Sequence, residues 1–181
     1  MNYWFTSDWH LFHESLRRKL PRPFKDIQKM NEVIISNFYN CVRPGDIVYI
    51  AGDISWDRKG LLDFLSKKPR NIHIHYIMGN HDKKIVNSEV KKYFESCSWL
   101  KDVKIYGQKI TIQHYMMSSW NCSHYNAWHL FGHHHDVKSA SNCRGKSMPL
   151  CVDLHNYKML SFEQVKEYMD LREDNWDLVK K

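Results

Sequence analysis

The sequence predicts an α/β fold in which two mixed β-sheets pack as a sandwich flanked by helices. In the first half of the chain, short apolar runs alternate with segments of helical periodicity, which is the pattern of right-handed βαβ units. Further along, two strand-like runs joined by a turn at Gly107-Gln108 indicate an antiparallel pair. Because the chain mixes both kinds of strand connection, two sheets packed face to face are favoured, with helices outside.

The strand-like runs are short and apolar, and several are rich in β-branched or aromatic residues. They lie at 2–7, 46–51, 72–78, 99–106, 109–114, 127–131 and 148–154. The run at 46–51 is almost continuously apolar, which is typical of a strand covered on both faces.

Helical periodicity marks the segments between these runs. In the first helix, Asp26 is a plausible N-cap and apolar residues recur in steps of three and four up to Cys41. The predicted helices lie at 26–41, from 58 to just before Pro69, at about 88–96, and through 160–171. The predicted loops lie at 17–25, which prolines interrupt, at 116–126 and at 139–146.

Length and composition set the class of protein. A chain of 181 residues is expected to form one domain, 1–181, and 43% hydrophobic residues exclude a disordered chain. We expect a cytoplasmic protein without a membrane partner, since no apolar run approaches the roughly 18 to 20 residues of a membrane span and the N-terminus does not resemble a signal peptide. Five cysteines without CxxC spacing argue against a disulfide framework or a zinc knuckle.

The net charge of +7 points to an anionic partner, such as a nucleic acid or a phosphorylated small molecule. The alternative is that the basic residues, which are scattered along the chain, only form a solvated surface. Charge alone therefore identifies no substrate, and the sequence favours no particular oligomeric state.

Residue types that bind metal ions follow five of the strand-like runs. They are Asp8 and His10, Asp53, Asn80 and His81, His114, and His133 with His135. Asp8 and His10 stand two residues apart, so on an extended backbone both side chains leave the same face and converge on one ion. The full set is large enough for two ions that share a carboxylate, an arrangement that binds phosphate oxygens and activates water. The pattern therefore indicates phosphoester hydrolysis.

Taken in order, these motifs resemble the calcineurin-like metallophosphoesterase superfamily. The resemblance runs from residue 8 to residue 135 through Asp-x-His, Gly-Asp, Gly-Asn-His-Asp, His and Gly-His-x-His. A subgroup of small bacterial and phage-type members resembles this chain at further segments. These lie at 6–13, at 22–24, from His114 to Leu130, and at 152–158. The resemblance implies a four-layer αββα fold and a site with two divalent metal ions.

The resemblance also implies which residues hold each ion. It assigns Asp8, His10, Asp53 and His135 to the first ion, and Asp53, Asn80, His114 and His133 to the second, with Asp53 as the bridge. Mixed imidazole and carboxylate donors favour Mn, Fe, Zn or Co over a hydrated Mg ion. Mn²⁺ is the first choice, with Fe, Zn, Co, Ni and Mg as alternatives. His81 is left to stabilise the phosphoryl oxygens or to protonate the leaving oxygen, and Asp82 or Asp57 is expected to orient it.

Four residues are candidates for binding the substrate. Arg22 is a candidate for a phosphate contact, with a place in a surface loop as the favoured alternative. His13, Asn121 and His124 are candidates either for substrate contact or for loop packing. The predicted activity is that of a phosphodiesterase acting on a nucleotide, a cyclic nucleotide or a nucleic-acid end. The alternatives are a phosphomonoesterase that acts on small molecules or proteins, and a non-catalytic scaffold that keeps the fold. Asp82 stands where the protein serine/threonine phosphatases have Glu, which disfavours that branch.

Overall fold

A computed structural model describes residues 1–179 of the chain. The predicted domain, 1–181, ends outside these described residues. In chain order the elements are β1 (Tyr3–Thr6), α1 (Glu14–Lys19), α2 (Ile27–Cys41), β2 (Ile47–Ile50), α3 (Arg58–Lys67), β3 (His73–Ile77), α4 (Ser88–Lys91), β4 (Ser96–Ser98), β5 (Leu100–Ile105), β6 (Gln108–Gln113), β7 (Trp128–Phe131), α5 (Val137–Ala140), β8 (Ser147–Pro149), β9 (Leu160–Ser161) and α6 (Phe162–Asp170).

The strands form two mixed sheets, as predicted. The first has the order β4-β3-β2-β1-β9, in which β1 to β4 are parallel and β9 pairs antiparallel with β1. The second has the order β5-β6-β7-β8, in which only β5 and β6 are antiparallel. Since β1, β2 and β3 are parallel neighbours, their carboxyl ends meet at one edge of the first sheet.

Two hydrophobic cores hold the layers together. One lies between the first sheet and helices α2 and α3, where Ile34, Phe38 and Leu61 pack against Val48 and Ile74. The other joins the inner faces of the two sheets and takes in α6. It contains Phe5, Tyr49, Ile77, Ile112, Leu130 and Val165. The second core therefore fixes one sheet against the other.

The long elements match the sequence prediction. Asp26 caps α2 through a bond from the Lys29 N–H, and α3 ends just before Pro69. Among the residues described, no helix combines the length and the hydropathy that crossing a bilayer demands.

Several short elements differ from the prediction. Part of the predicted loop 17–25 is helical, because Arg17 and Arg18 pair with Glu14 in α1. The helix predicted at 88–96 ends at Lys91, and Ser96 already belongs to strand β4 beside β3. The run at 148–154 leaves the sheet after Pro149 and turns in a 3-10 helix, whereas strand β9 was not predicted.

Candidate metal centre

The predicted metal ligands meet where the two sheets present their carboxyl ends. Asp8 and His10 follow β1, Asp53 follows β2, and Asn80 follows β3. The loops after β1 and β2 continue the parallel pairing of these strands, with Asp8 N–H donating to Gly52 O and His10 N–H donating to Asp53 O, each at 3.0 Å. The second sheet supplies its donors after β6 and β7.

The donors assigned to the first ion form a compact, buried group. His10 Nε2 lies 3.8 Å from Asp8 Oδ1 and 3.8 Å from Asp53 Oδ2. His135 Nε2 lies 3.7 Å from the same Asp8 oxygen. The other oxygen of Asp8 accepts the His133 N–H at 2.9 Å, so that only Oδ1 is directed into the group.

The donors assigned to the second ion lie next to the first group and share Asp53 with it. His114 Nε2 lies 3.6 Å from Asp53 Oδ2 and 2.9 Å from Asn80 Oδ1, and His133 Nδ1 lies 3.1 Å from that amide oxygen. Asp53 Oδ1 accepts the His81 N–H at 3.0 Å. Asp53 Oδ2 is therefore the atom that faces both groups of donors.

These separations fit the donor spheres of two metal ions. Donors about 2.1 Å from one ion stand about 3 Å apart when adjacent and about 4 Å apart when opposite, and the observed separations fall in this range. Asp8 Oδ1 and His10 Nε2 are buried and have no hydrogen-bond partner among residues 1–179. Buried polar atoms are normally satisfied, so these two atoms call for a cation. The residues present therefore fit the two divalent metal ions that the sequence implies.

The electrostatics of the site also suit a cation. Burial, together with the charges of Asp82 and Asp8, raises the pKa of Asp53, against the opposing effect of His114. Burial lowers the pKa of His10 to about 4, although Asp8 opposes this shift. His10 is thus a neutral imidazole at neutral pH, which is the form that ligates a metal. Packed carboxylates beside neutral imidazoles gain most from a positive ion between them.

Glycines in the motifs make room for these side chains. A Cβ built on Gly52 would lie 2.6 Å from His114 Nδ1, and one on Gly132 would lie 2.6 Å from Asp8 Oδ2. A Cβ on Gly79 would overlap the Asp53 carboxylate. The glycines that precede Asp53, Asn80 and His133 are therefore a steric requirement of the packed donors as well as turn residues.

The ligand loops also carry an unusual backbone conformation. Asp8 (φ 57°), His10 (φ 50°), Asp53 (φ 54°) and His133 (φ 70°) all lie in the left-handed region. For residues other than glycine, this conformation costs about 1–3 kcal/mol each and persists only where the surrounding structure enforces it. Strain at four ligands points to a site whose geometry is fixed before anything binds.

His81 stands on the open side of the donors within a group of aromatic rings. Its Nε2 lies 4.0 Å from Asp53 Oδ2, and its side chain is 37% exposed. The ring of His13 stacks on Trp56 with a centroid separation of 3.9 Å, and the Trp56 ring lies 5.3 Å from His81. His13 Nδ1 is also 3.3 Å from His10 Nδ1. The structure thus brings the candidate His13 to the site.

The expectation that Asp82 or Asp57 orients His81 is wrong. The Asp82 Oδ2 atom accepts the backbone N–H groups of Asp53, at 3.0 Å, and of Gly79, at 2.6 Å. Asp57 caps α3 by accepting the Gly60 N–H. In the described part of the chain, neither carboxylate bonds the His81 ring. The charge of Asp82 opposes the lowering of the His81 pKa by burial but does not orient the ring. Asp82 instead braces the loops that carry Asp53 and Asn80.

The prediction that Arg22 contacts a phosphate is also wrong. Its side chain is fully buried and forms two hydrogen bonds to Asp153 and one each to the carbonyl oxygens of Asp8 and Trp9. All three guanidinium nitrogens are engaged within the protein. Arg22 therefore supports the loop after β1 and has no free donor face for a substrate.

Asn121 and His124 are not brought to the donors either. Asn121 donates to Asp102 on the solvent side of β5, and the ring of His124 packs against Tyr125. Within residues 1–179, neither side chain forms a hydrogen bond or a ring contact with a predicted metal ligand. Both residues belong to the loop that covers the outer face of the second sheet, where Trp120 stacks on His129.

Sequence reasoning missed two residues at this site. Trp56 is 48% exposed beside His81. Its position three residues after the Gly-Asp motif was a signal available in the sequence, whereas its exposure was not. Asp153 accepts a hydrogen bond from His135 Nδ1 at 2.7 Å. It lies in the C-terminal run expected to be a strand, and no spacing in the sequence links it to His135.

Comparison with known proteins supports the fold and identifies the family. The chain is 29% identical over 177 residues to an uncharacterized protein of Methanocaldococcus jannaschii. The matched region covers 92% of this chain and 90% of that protein. It is similar to the crystal structure of a protein of unknown function from Aquifex aeolicus, with a TM-score of 0.74, 23% identity, and coverage of 92% of this chain and 98% of the other.

A second solved structure, described as a novel archaeal phosphodiesterase, has a TM-score of 0.49 at 16% identity over 90% of this chain and 99% of that one. A TM-score below 0.5 supports no inference about this chain. The family description Calcineurin-like phosphoesterase matches residues 1–176, which is nearly the whole chain. The chain belongs to the calcineurin-like phosphoesterase family.

Proposed function

We propose that the chain hydrolyses phosphoester bonds with two divalent metal ions, and that its substrates are phosphodiesters of nucleotides, cyclic nucleotides or nucleic-acid ends. The observation that carries this proposal is the set of seven donor side chains arranged as two groups around Asp53 Oδ2. Family membership supports the reaction class, and the geometry supports the number of ions.

The residues of the chain divide the work between them. Asp8, His10 and His135 would hold the first ion, whereas Asn80, His114 and His133 would hold the second, with Asp53 common to both. When bound, two ions activate water and neutralise the oxygens of an in-line displacement. Mn²⁺ is our first choice, since imidazole and carboxylate donors are mixed in both groups.

His81 is the group we assign to the substrate. Burial lowers its pKa, against the opposing charge of Asp82, so the neutral ring has one N–H to donate to a phosphoryl or leaving oxygen. Its backbone N–H is fixed on Asp53 Oδ1, and its ring packs edge-on against Trp56. The ring is therefore held beside the reacting phosphate while remaining open to it.

Trp56 supports a nucleotide substrate. Its indole ring is half exposed beside His81, and the stacked ring of His13 holds it in place. Aromatic side chains in such positions stack on nucleobases, at about 1–3 kcal/mol per base. A nucleoside attached to the phosphate would find this surface next to the metal ions, whereas a small alkyl phosphate would gain little from it.

The test is hydrolysis of bis(p-nitrophenyl) phosphate and of a panel of nucleotide mono- and diesters with Mn²⁺. We expect turnover that Asp53→Asn abolishes and that His81→Ala slows by about 10²–10⁴ while the metal content is retained. His124→Ala is the matched histidine control, since this side chain packs on Tyr125, and it should keep the wild-type rate.

The same panel separates the alternatives. Trp56→Ala should lower kcat/KM for nucleotide diesters by about 5- to 150-fold and leave small alkyl diesters almost unchanged. Preference for monoesters would favour the phosphomonoesterase alternative. Two bound ions without turnover on any phosphoester would refute the enzyme in favour of a scaffold.

A further inference from the structure

We propose that the buried ion pair between Arg22 and Asp153 is the positioning device of the first ion site. It fixes the His135 ring and the loop after β1 together, so that donors from both sheets are held in register. The inference rests on the proposed function only in requiring that an ion binds. Neither residue contacts the substrate in this scheme.

Asp153 determines how His135 presents its ring. The Asp153 Oδ2 atom lies 2.7 Å from His135 Nδ1, and a carboxylate is an acceptor only, so Nδ1 carries the hydrogen. The lone pair of His135 is then on Nε2, the atom that lies 3.7 Å from Asp8 Oδ1. A carboxylate behind a ligating histidine fixes its tautomer and makes it a stronger donor to the metal.

Arg22 carries this constraint to the other sheet. It holds both oxygens of Asp153, with Nε at 2.8 Å and Nη2 at 2.7 Å. The same guanidinium donates to the carbonyl oxygens of Asp8 and Trp9, each at 2.9 Å. One buried cation thus joins His135, which follows β7, to the loop that carries Asp8 and His10.

A competing explanation is that His135, Cys151 and Asp153 form a metal site of their own, because their donor atoms also cluster. The Arg22 guanidinium lies 2.7 Å from the same Asp153 oxygen, and a second cation there would be repelled. The Cys151 thiol, at 3.3 Å, donates to that oxygen. These contacts favour a hydrogen-bonded support behind His135 over a third ion.

Two variants remove the device in different ways. In Asp153→Asn the amide NH₂ faces Arg22 Nε if it takes the place of Oδ1, and faces both Arg22 Nη2 and His135 Nδ1 if it takes the place of Oδ2. All of these atoms are donors, so at least one contact of the device is lost in either orientation. Arg22→Met combined with Asp153→Leu removes both charges and leaves no buried charge unpaired, a replacement that folds tolerate well. The double variant therefore keeps the test valid if Asp153→Asn does not fold.

The measurement is binding of Co²⁺ to the full chain by titration calorimetry and by the visible absorption of the bound ion. For both variants we expect one of two ions to bind 10- to 100-fold more weakly, with a changed absorption spectrum for that ion. The other ion should keep its affinity, because His114 Nδ1 is held by the Ala51 carbonyl oxygen and not by Asp153.

Two controls make the result specific. Asp46→Asn also neutralises a buried carboxylate, one that accepts hydrogen bonds from Asn2 and Trp4 at the opposite end of β2, and it should leave both affinities unchanged. Cys151→Ser should do the same, whereas loss of an ion in this variant would support the competing metal site and overturn our assignment.

Unchanged affinity and spectrum in the folded double variant would also overturn the assignment, and so would an equal loss in Asp46→Asn. These readouts do not depend on turnover. A wild-type chain that binds Co²⁺ but is unaffected by the variants therefore refutes the positioning role alone, whereas a wild-type chain that binds no ion refutes the proposed function.

Discussion

The contrast between Asp82→Asn and Asp82→Ala tests whether Asp82 braces the metal-site loops or supports His81 by its charge. Asp82 is fully buried, and one of its oxygens, Oδ2, accepts two backbone N–H groups, those of Asp53 and Gly79. An asparagine has an oxygen that can take the place of Oδ2 and keep both bonds. An alanine has none.

The magnitudes follow from these two bonds. Asp82→Ala leaves two buried N–H groups without acceptors, at about 1–3 kcal/mol each, so we expect a loss of about 2–6 kcal/mol in the free energy of unfolding. For a domain of this size, 1 kcal/mol corresponds to about 2–4 °C in Tm. Burial raises the pKa of Asp82, which means that a charge is poorly stabilised there, and Asp82→Asn should cost less than about 1 kcal/mol.

Urea unfolding measures the stability of each variant. Turnover of bis(p-nitrophenyl) phosphate measures its activity, with His81→Ala as the reference for complete loss of the His81 side chain. If Asp82 is a brace, Asp82→Asn keeps activity within a few-fold of wild type and Asp82→Ala loses both stability and metal affinity. If Asp82 supports His81 electrostatically, removing the charge is enough. Asp82→Asn then loses activity by about 10²-fold or more while its stability stays intact. This second outcome would refute the bracing role.

Three further outcomes are expected. Gly132→Ala should weaken metal binding at least tenfold, since its Cβ would lie 2.6 Å from Asp8 Oδ2, whereas Gly107→Ala, with open space at its Cβ, should not change metal affinity. Mn²⁺ at about 100 times its dissociation constant should raise Tm by about 5–10 °C for each ion bound in a thermal melt, and Asp53→Asn should reduce this rise. Burial lowers the pKa of His129 to about 4, below the ordinary 6.5 or so. Its contribution to stability is complete above pH 6.5 and is lost as pH falls towards 4, because the unfolded chain takes up the proton first. Between pH 7 and pH 5 the metal-free wild type should therefore lose about 2 kcal/mol more than His129→Gln, as measured by urea unfolding.

The donors were predictable from the sequence because each obeys a local rule. A buried parallel strand is a continuous apolar run, and the polar residues after it, such as Asp53 and Asn80, must lie at its carboxyl end. Glycine before the ligand marks the close approach of neighbouring loops, as Gly79 does against Asp53. Strand period, turn residue and ligand chemistry therefore all point to one sheet edge.

What the sequence did not reveal depends on contacts between distant segments. Strands β4 and β9 have only three and two residues, so they exist by pairing with β3 and β1 and not by their own pattern. Arg22 looked like a free cation because its partner, Asp153, is 131 residues away. Whether a basic residue in such a loop is buried or exposed depends on whether it has a distant acidic partner. Spacing along the chain does not indicate that partner.

The position of the donors couples metal binding to the packing of the two sheets. In the proposed site, each ion would take ligands from both sheets: Asp8 and His135 for the first, Asn80 and His114 for the second. Directly beneath them, the core that includes Phe5 holds the inner faces together. Left-handed backbone at the ligands persists only where surrounding contacts enforce it, and one of those contacts crosses between the sheets, from the His133 N–H to Asp8 Oδ2. Loosening the sandwich would therefore release the strain and separate the donors in one step, so that metal affinity and global stability fall together.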